Sequence, residues 1–305
     1  MDISRNSFIN LAEKDVARRV REAGTRVCVF PINGTRRWFF LEHNTDGSDP
    51  WLLYMQAASQ RHIQLYKLFF EHGIDTLLTP IFGPDILERG SDYMRMAAPG
   101  MEMLVSHPWF AEFYRKYDVR VRFYGDYRKH LADTPYAYLS DIFDSAAERT
   151  ASHSTHRLFY GVFAHDATET LAALSIDYFQ KHGTRPDRRK LVELYYGEYI
   201  PPVDLFIGFD KFAAFDMPLL ATGSEDLYFM VAPSPYLTRE GLRDILYDHL
   251  VTRRSDSLDY SALTREDWAA MRQFYRANQR RTLGVGHQHP RLGMWSPLPP
   301  GDLTP

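Results

Sequence analysis

The sequence predicts an α/β fold in which helices flank a six-stranded, mainly parallel sheet. Three observations predict it. Six short runs rich in β-branched and aromatic residues recur along the chain. Segments with a helical apolar period lie between them. No Gly-, Ser- or Pro-rich linker divides the runs into two groups. Strands that alternate with helices pair in parallel through right-handed crossovers. Residues 1–305 therefore read as a single domain, with a core over about 26–250, a helical N-terminal segment and a C-terminal extension.

The six runs are RVCVFPI (26–32), TLLTPIF (76–82), VRVRFYG (119–125), RLFYGVF (157–163), DLFIGF (204–209) and LYFMVAP (227–233). Between the first two, YMQAASQRHIQLYKLFFEHG (54–73) puts Ile63, Tyr66, Leu68, Phe69 and Phe70 on an apolar face, with Gly73 as its C-terminal cap. The same period marks residues 91–117, 166–183 and 238–254. Residues 131–155 turn polar toward their end and read as a loop, and the Pro/Gly-rich tail from 282 reads as irregular.

A chain of 305 residues that is 45% hydrophobic buries a sizeable core without disulfides or metal. Its one cysteine, Cys28, lies in an apolar run and reads as a buried hydrophobe, which fits a reducing cytoplasm. Charged residues throughout the first 24 positions exclude a signal peptide. No stretch reaches the ~18 consecutive apolar residues of a transmembrane segment. A net charge of -3 and a pI near 6.5 argue against nucleic acid as a partner and leave room for a small anion.

One such place stands out. FPINGTRRWFF (30–40) sets an Asn-Gly turn at the end of the first strand, and in parallel sheets ligands bind beyond the carboxyl ends of the strands. Backbone N–H groups there and at the next helix's start, with Arg36 and Arg37, suit phosphate oxygens. Equally, the arginines are plain surface charges and Trp38 is core; spacing leaves both readings open. The pair of histidines in HSTH (153–156) lacks the partners of a zinc site. PDRRK (186–190) reads as a solvated basic face.

FPINGTRRWFF resembles the first signature of the cis-prenyltransferases, an Asp-Gly-Asn followed by basic residues, Trp and Ala. In the same order, HGIDTLLTPIF is similar to the family's second strand, VRVRFYGD to its third-strand motif, PPVDLFIGF to its Asp-Leu-x-Ile-Arg-Thr region and EDLYFMVAP to its last strand. The resemblance implies the undecaprenyl diphosphate synthase-like fold, a homodimer, Mg²⁺ as cofactor, and a diphosphate clamp of Gly34, Thr35, Arg36, Arg37 and Arg89. Asp226 matches a metal-binding Glu. Two departures matter. Asn33 stands where the family has Asp, and an amide is a weaker Mg²⁺ ligand and no base; alternatively Asn33 only favours the left-handed turn before Gly34. In IGFDKFAAFDMPLL (207–220), Gly208, Phe209, Phe212 and Phe215 replace the charged and hydroxyl groups of the second diphosphate site, and Lys211 alone is cationic. Chain elongation is not expected, because the acceptor's charge would be desolvated uncompensated.

GTRRW, YMQAA, FEHGID, FYGDY, YYGEY, LYFMVAPS and ILYDH resemble a divergent diterpene synthase branch of that family. This implies a bicyclic diterpenyl diphosphate of the halimadienyl or kolavenyl type, supplied by a class II diterpene cyclase. Neither a DDxxD nor a DxDD pattern occurs here, so protonating a double bond is not this chain's task. The implied reaction is ionisation of the allylic C–O bond and capture of the cation by water, giving a diterpene alcohol. A nucleoside such as adenosine as acceptor, or a non-catalytic partner subunit, are the alternatives. Asn33, Tyr54, Arg36 and Arg37 carry the implied catalytic roles, Tyr54 orienting water or the bridging oxygen. Trp38, Phe82, Phe209, Phe212 and Phe215 are the expected hydrocarbon pocket.

Overall fold

A computed structural model describes residues 3–44, 49–83, 91–210, 212–254 and 260–297. Its main sheet has six strands in the order β3-β4-β2-β1-β5-β6. They are β1 (Val27–Val29), β2 (Thr76–Phe82), β3 (Val119–Tyr124), β4 (His156–Val162), β5 (Leu205–Phe209) and β6 (Asp226–Met230). Every pairing is parallel. Each of the six predicted runs is one of these strands. β1 is short because Pro31 follows, and proline has no N–H to continue the ladder.

Alternation along the strands fills two cores. Cys28, Leu77, Leu158, Leu205 and Ile207 enter one, while Val27, Val29, Leu78, Phe159 and Phe206 enter the other. Both faces of the sheet are thus covered, as a parallel sheet requires. Cys28 is fully buried, and burial pushes its thiol pKa up, consistent with a hydrophobe.

On the first face the long helix Pro50–Glu71 crosses from β1 toward β2. Asp49 caps it by accepting from the Trp51 and Leu52 N–H groups at 2.9 and 3.4 Å, and Pro50 sits where no N–H is needed. Ile63, Tyr66, Phe69 and Phe70 are buried as the pattern predicts. The chain leaves through Gly73 at φ +94°, where a Cβ would lie 2.6 Å from the Ala17 carbonyl oxygen. Helices Ser91–Ser106 and Pro108–Lys116 follow on this face.

Residues 131–155 contain a helix, Tyr138–Arg149, rather than only loop. Leu139, Phe143 and Ala146 form its buried stripe, and Phe143 stacks on Phe123 at 4.1 Å. The polar run after Thr150 masked that short period. In the tail, Gly286–Gln288 pairs antiparallel with Trp295–Pro297. Among the described residues no helix is long and apolar enough to cross a membrane.

Arg243 joins three parts of the chain. It is 1% exposed. Its guanidinium donates to His72 Nε2 at 3.0 Å and to the Ile9 and Leu11 carbonyls at 2.5 and 2.7 Å. His72 Nδ1 lies 2.8 Å from the Leu68 carbonyl, so it carries the proton and Nε2 accepts. The N-terminal segment, the long helix and helix Arg239–Tyr247 are fastened at this one side chain.

Candidate active site

The loop between β1 and the next helix is held by a distant residue. Ser234 is fully buried; its hydroxyl donates to the Pro31 carbonyl at 3.0 Å and accepts from the Asn33 N–H at 3.1 Å. Its own N–H donates to the Asn33 carbonyl at 3.0 Å. Gly34 has φ +76°, and a Cβ there would come within 2.8 Å of Pro233 Cβ and 3.0 Å of a Phe209 ring carbon. Only glycine fits both the backbone and the space.

Helix Thr35–Glu42 begins at Gly34 and has no acidic residue in its first turn. Its free N–H groups and positive dipole end face outward from the carboxyl ends of the strands. The Thr35 hydroxyl is 3.0 Å from that of Tyr54. Arg36 and Arg37 are exposed, and neither forms an ion pair with any described residue. The Arg37 guanidinium sits 5.7 Å from the Phe209 ring centroid. Two cations without a counterion among the described residues, beside open helix N–H groups, suit an anion.

That site opens into a cavity of about 550 Å³. One wall is the helix face of Trp51, Tyr54, Met55, Ala58, Ser59 and His62. Ala97, Gly100 and Leu104 of helix Ser91–Ser106 oppose it, and Ile81 and Phe82 close it at the end of β2. The space exists because the facing helices carry small residues there; a Cβ on Gly100 would already lie 3.2 Å from Met55 Cε.

Asn33, Gly34, Thr35, Arg36, Arg37, Tyr54 and Phe82 thus come together around one cavity. Arg89 and Lys211 fall outside the described residues. Of the other aromatics expected in a hydrocarbon pocket, none lines this cavity. Trp38 packs edge-on against His43. Phe209 lies beneath Arg37, Phe212 contacts Phe229 and Trp295, and Phe215 meets Phe206 on the opposite sheet face. The sequence reading missed the wall of the long helix and of Ala97, Gly100 and Leu104; its trace is the small residues Ala58, Ala97 and Gly100, which close helix packing leaves as well.

Asp226 is also misplaced for its expected role. It begins β6, while the cavity lies past the ends of the strands, and its carboxylate is taken by His249 at 2.6 Å and Arg253 at 3.1 Å. Among the described residues no three His, Cys, Asp or Glu side chains converge to hold a metal. At the loop itself Asn33 offers only a neutral amide. The donors among the described residues do not fit a protein-held Mg²⁺.

Burial pushes the His62 pKa down to about 4. His72, His156 and His249 are lowered as well, each mainly by burial. Each is more readily protonated in the unfolded chain, so unfolding takes up protons and stability rises with pH. Thermal melts are expected to be level above pH ~6.5 and to fall progressively below it, for His62 down to about 4. A melting temperature that stays constant from neutral pH to pH ~4 contradicts this.

No protein-family model matches the chain. It is 44% identical over 295 residues to a tuberculosinyl adenosine transferase of Mycobacterium tuberculosis, covering 96% of this chain and 98% of that one. A (+)-kolavelool synthase of Herpetosiphon aurantiacus is 26% identical over 275 residues, covering 88% and 89%. Among solved structures, lavandulyl diphosphate synthase from Lavandula x intermedia in complex with dimethylallyl diphosphate superposes with a TM-score of 0.53 at 18% identity, covering 77% of this chain and 98% of that one. A probable undecaprenyl diphosphate synthase from Campylobacter jejuni gives 0.52 at 15%, covering 77% and 97%. The fold is therefore that of the cis-prenyltransferases. With the sheet order, the loop after β1 and near full-length identity in agreement, the chain belongs to the family of the tuberculosinyl adenosine transferase and is an enzyme.

Proposed function

We propose that this enzyme ionises a bicyclic diterpenyl diphosphate and transfers the diterpenyl group to adenosine. The observation that carries the reading is the 44% identity to an adenosine transferase over 96% of the chain. The site supports it. Arg36, Arg37 and the N–H groups of the first helical turn receive the diphosphate, and the cavity beside them takes the hydrocarbon. Its volume of about 550 Å³ lies in the range of small-molecule sites.

In the reaction, the C–O bond to the diphosphate breaks and its electron pair leaves on oxygen. Charge growing on the leaving group is stabilised by cations already aimed at it, which is where catalysis is gained. An adenine nitrogen then donates its lone pair to the allylic carbon, and the diphosphate accepts any proton the nitrogen sheds. Tyr54, held by Thr35, borders the reacting end. The aromatics displaced from the hydrocarbon pocket suit an acceptor base. Phe209 lies under Arg37, and half-exposed Phe212 adjoins Phe229. Stacking on such a surface is worth about 1–3 kcal/mol per base. A homodimer and an upstream class II diterpene cyclase belong to the same proposal.

Water capture, giving a diterpene alcohol, is the second reading, favoured by the 26% identity to a kolavelool synthase. Incubation with a bicyclic diterpenyl diphosphate, with and without adenosine, separates the two by product mass. A diterpenyl-adenosine conjugate is expected when adenosine is present. Alcohol as the sole product under both conditions establishes the second reading, and no diphosphate release from the purified protein refutes both.

A further inference from the structure

Helix Thr35–Glu42 carries Arg36 and Arg37, yet packing does little to fix its direction. Phe39 is its buried residue, and so short a helix does not hold together unaided. A rod about 12 Å long that is pinned at one point can swing, and the first turn with its two arginines swings with it.

The ties that stop this run to one short turn, Ser234–Tyr236. At the start of the helix Ser234 holds the N–H and the carbonyl of Asn33, and Pro233 closes on Gly34. At its end the Tyr236 hydroxyl donates to a Glu42 carboxylate oxygen at 2.5 Å. That hydrogen bond raises the tyrosine's pKa, so the phenol keeps the proton it donates. The contact of Thr35 with Tyr54 adds a second tie at the start of the helix.

The turn is itself fixed to the long helix. Arg61 donates through Nε to the Pro235 carbonyl at 2.8 Å and through Nη2 to the Leu237 carbonyl at 3.0 Å. Its Nη1 donates to Gln64 at 2.9 Å, which holds the guanidinium along the helix. Tyr54, Met55 and Ala58 of that same helix line the cavity. Clamp helix and cavity wall thus share an anchor, which sets the leaving group in register with the skeleton. Neither Ser234 nor Tyr236 lines the cavity, so whatever they do for the reaction passes through the helix they hold.

Resting on the diphosphate reading above, we infer that Ser234 and Tyr236 are positioning residues for catalysis, holding helix Thr35–Glu42 at both ends so that Arg36 and Arg37 are aimed at the leaving group. Donors stabilise a departing diphosphate only if they are in place before the bond breaks, and a displacement of about 1 Å can cost ~10²-fold in rate. Loss of either tie lowers turnover more than binding, because a swinging arginine still attracts the ground-state diphosphate by its charge.

The test is steady-state diphosphate release from a bicyclic diterpenyl diphosphate with adenosine present. Wild type, Tyr236→Phe, Ser234→Ala and each of these combined with Arg37→Ala are compared, and thermal melts report folding. Tyr236→Phe removes one hydroxyl from a partly exposed position, so its melting temperature is expected to stay within about 3 °C of wild type. Its kcat falls about tenfold, with KM changed less than about twofold. Ser234→Ala lowers kcat by about 10²-fold. In the Arg37→Ala background each substitution costs only about threefold, since a group it aims is gone. Unchanged kcat in Tyr236→Phe, or a rise in KM alone, overturns the inference and leaves the diphosphate reading standing on wild-type turnover. Full additivity with Arg37→Ala overturns it too, because a purely structural loss is indifferent to that arginine. Tyr236→Phe decides alone if Ser234→Ala does not fold. Absence of diphosphate release from the wild type removes the diphosphate reading and this inference with it.

Discussion

Replacing both Arg36 and Arg37 with alanine is expected to lower kcat/KM for diphosphate release by about four orders of magnitude, with the melting temperature unchanged. One preorganised charge-stabilising donor is worth about 3–4 kcal/mol in the transition state, a factor of ~10²–10³. The two arginines are adjacent and act on one leaving group, so their effects will not add fully. Stability is spared because both side chains are exposed and neither is tied to another described residue by an ion pair. Lysine at both positions keeps the charge and loses the two-pronged geometry, so its activity should fall between. Release of diphosphate by the folded double alanine variant at the wild-type rate would remove the basis for the site.

Arg243→Met should act on the opposite quantity, stability, through a residue bonded to His72 at the end of the long helix remote from Tyr54. Three charge-assisted hydrogen bonds are lost, and the carbonyls of Ile9 and Leu11 and the Nε2 of His72 are left facing an apolar chain. Removing the buried charge recovers part of the cost. The expected net loss is about 3 kcal/mol, or roughly 6 °C in melting temperature. Denaturant unfolding followed by circular dichroism measures it. A loss below ~1 kcal/mol would mean that water replaces the guanidinium, or that the N-terminal segment is fastened by its apolar contacts alone.

Most of the fold was legible because a parallel sheet covered on both faces leaves a coarse signal. Runs such as TLLTPIF must be apolar on both sides, and their alternation with helices leaves few topologies. The helix at 138–149 escaped because its buried stripe is only Leu139, Phe143 and Ala146. At the candidate site, type and spacing singled out the turn of Asn33 and Gly34 and the two arginines, with a plain surface role equally open until the family resemblance was added. The cavity wall left no such mark. A cavity is made by what is missing, and Ala97 and Gly100 carry no chemical mark that distinguishes space for a ligand from close helix packing. Phe212 and Phe215 misled for the converse reason: an aromatic side chain fits a ligand wall and a protein core equally well, and only the path of the chain after β5 decides between them.

Residue 234 lies some two hundred positions downstream of the loop it ties, and Pro233 stands against the one atom that Gly34 lacks. Segments 30–38 and 231–237 therefore behave as a single replaceable part. Shuffling this enzyme with a homologue at either segment alone would mismatch a lock and its key, whereas exchanging both together would carry the leaving-group cradle across intact.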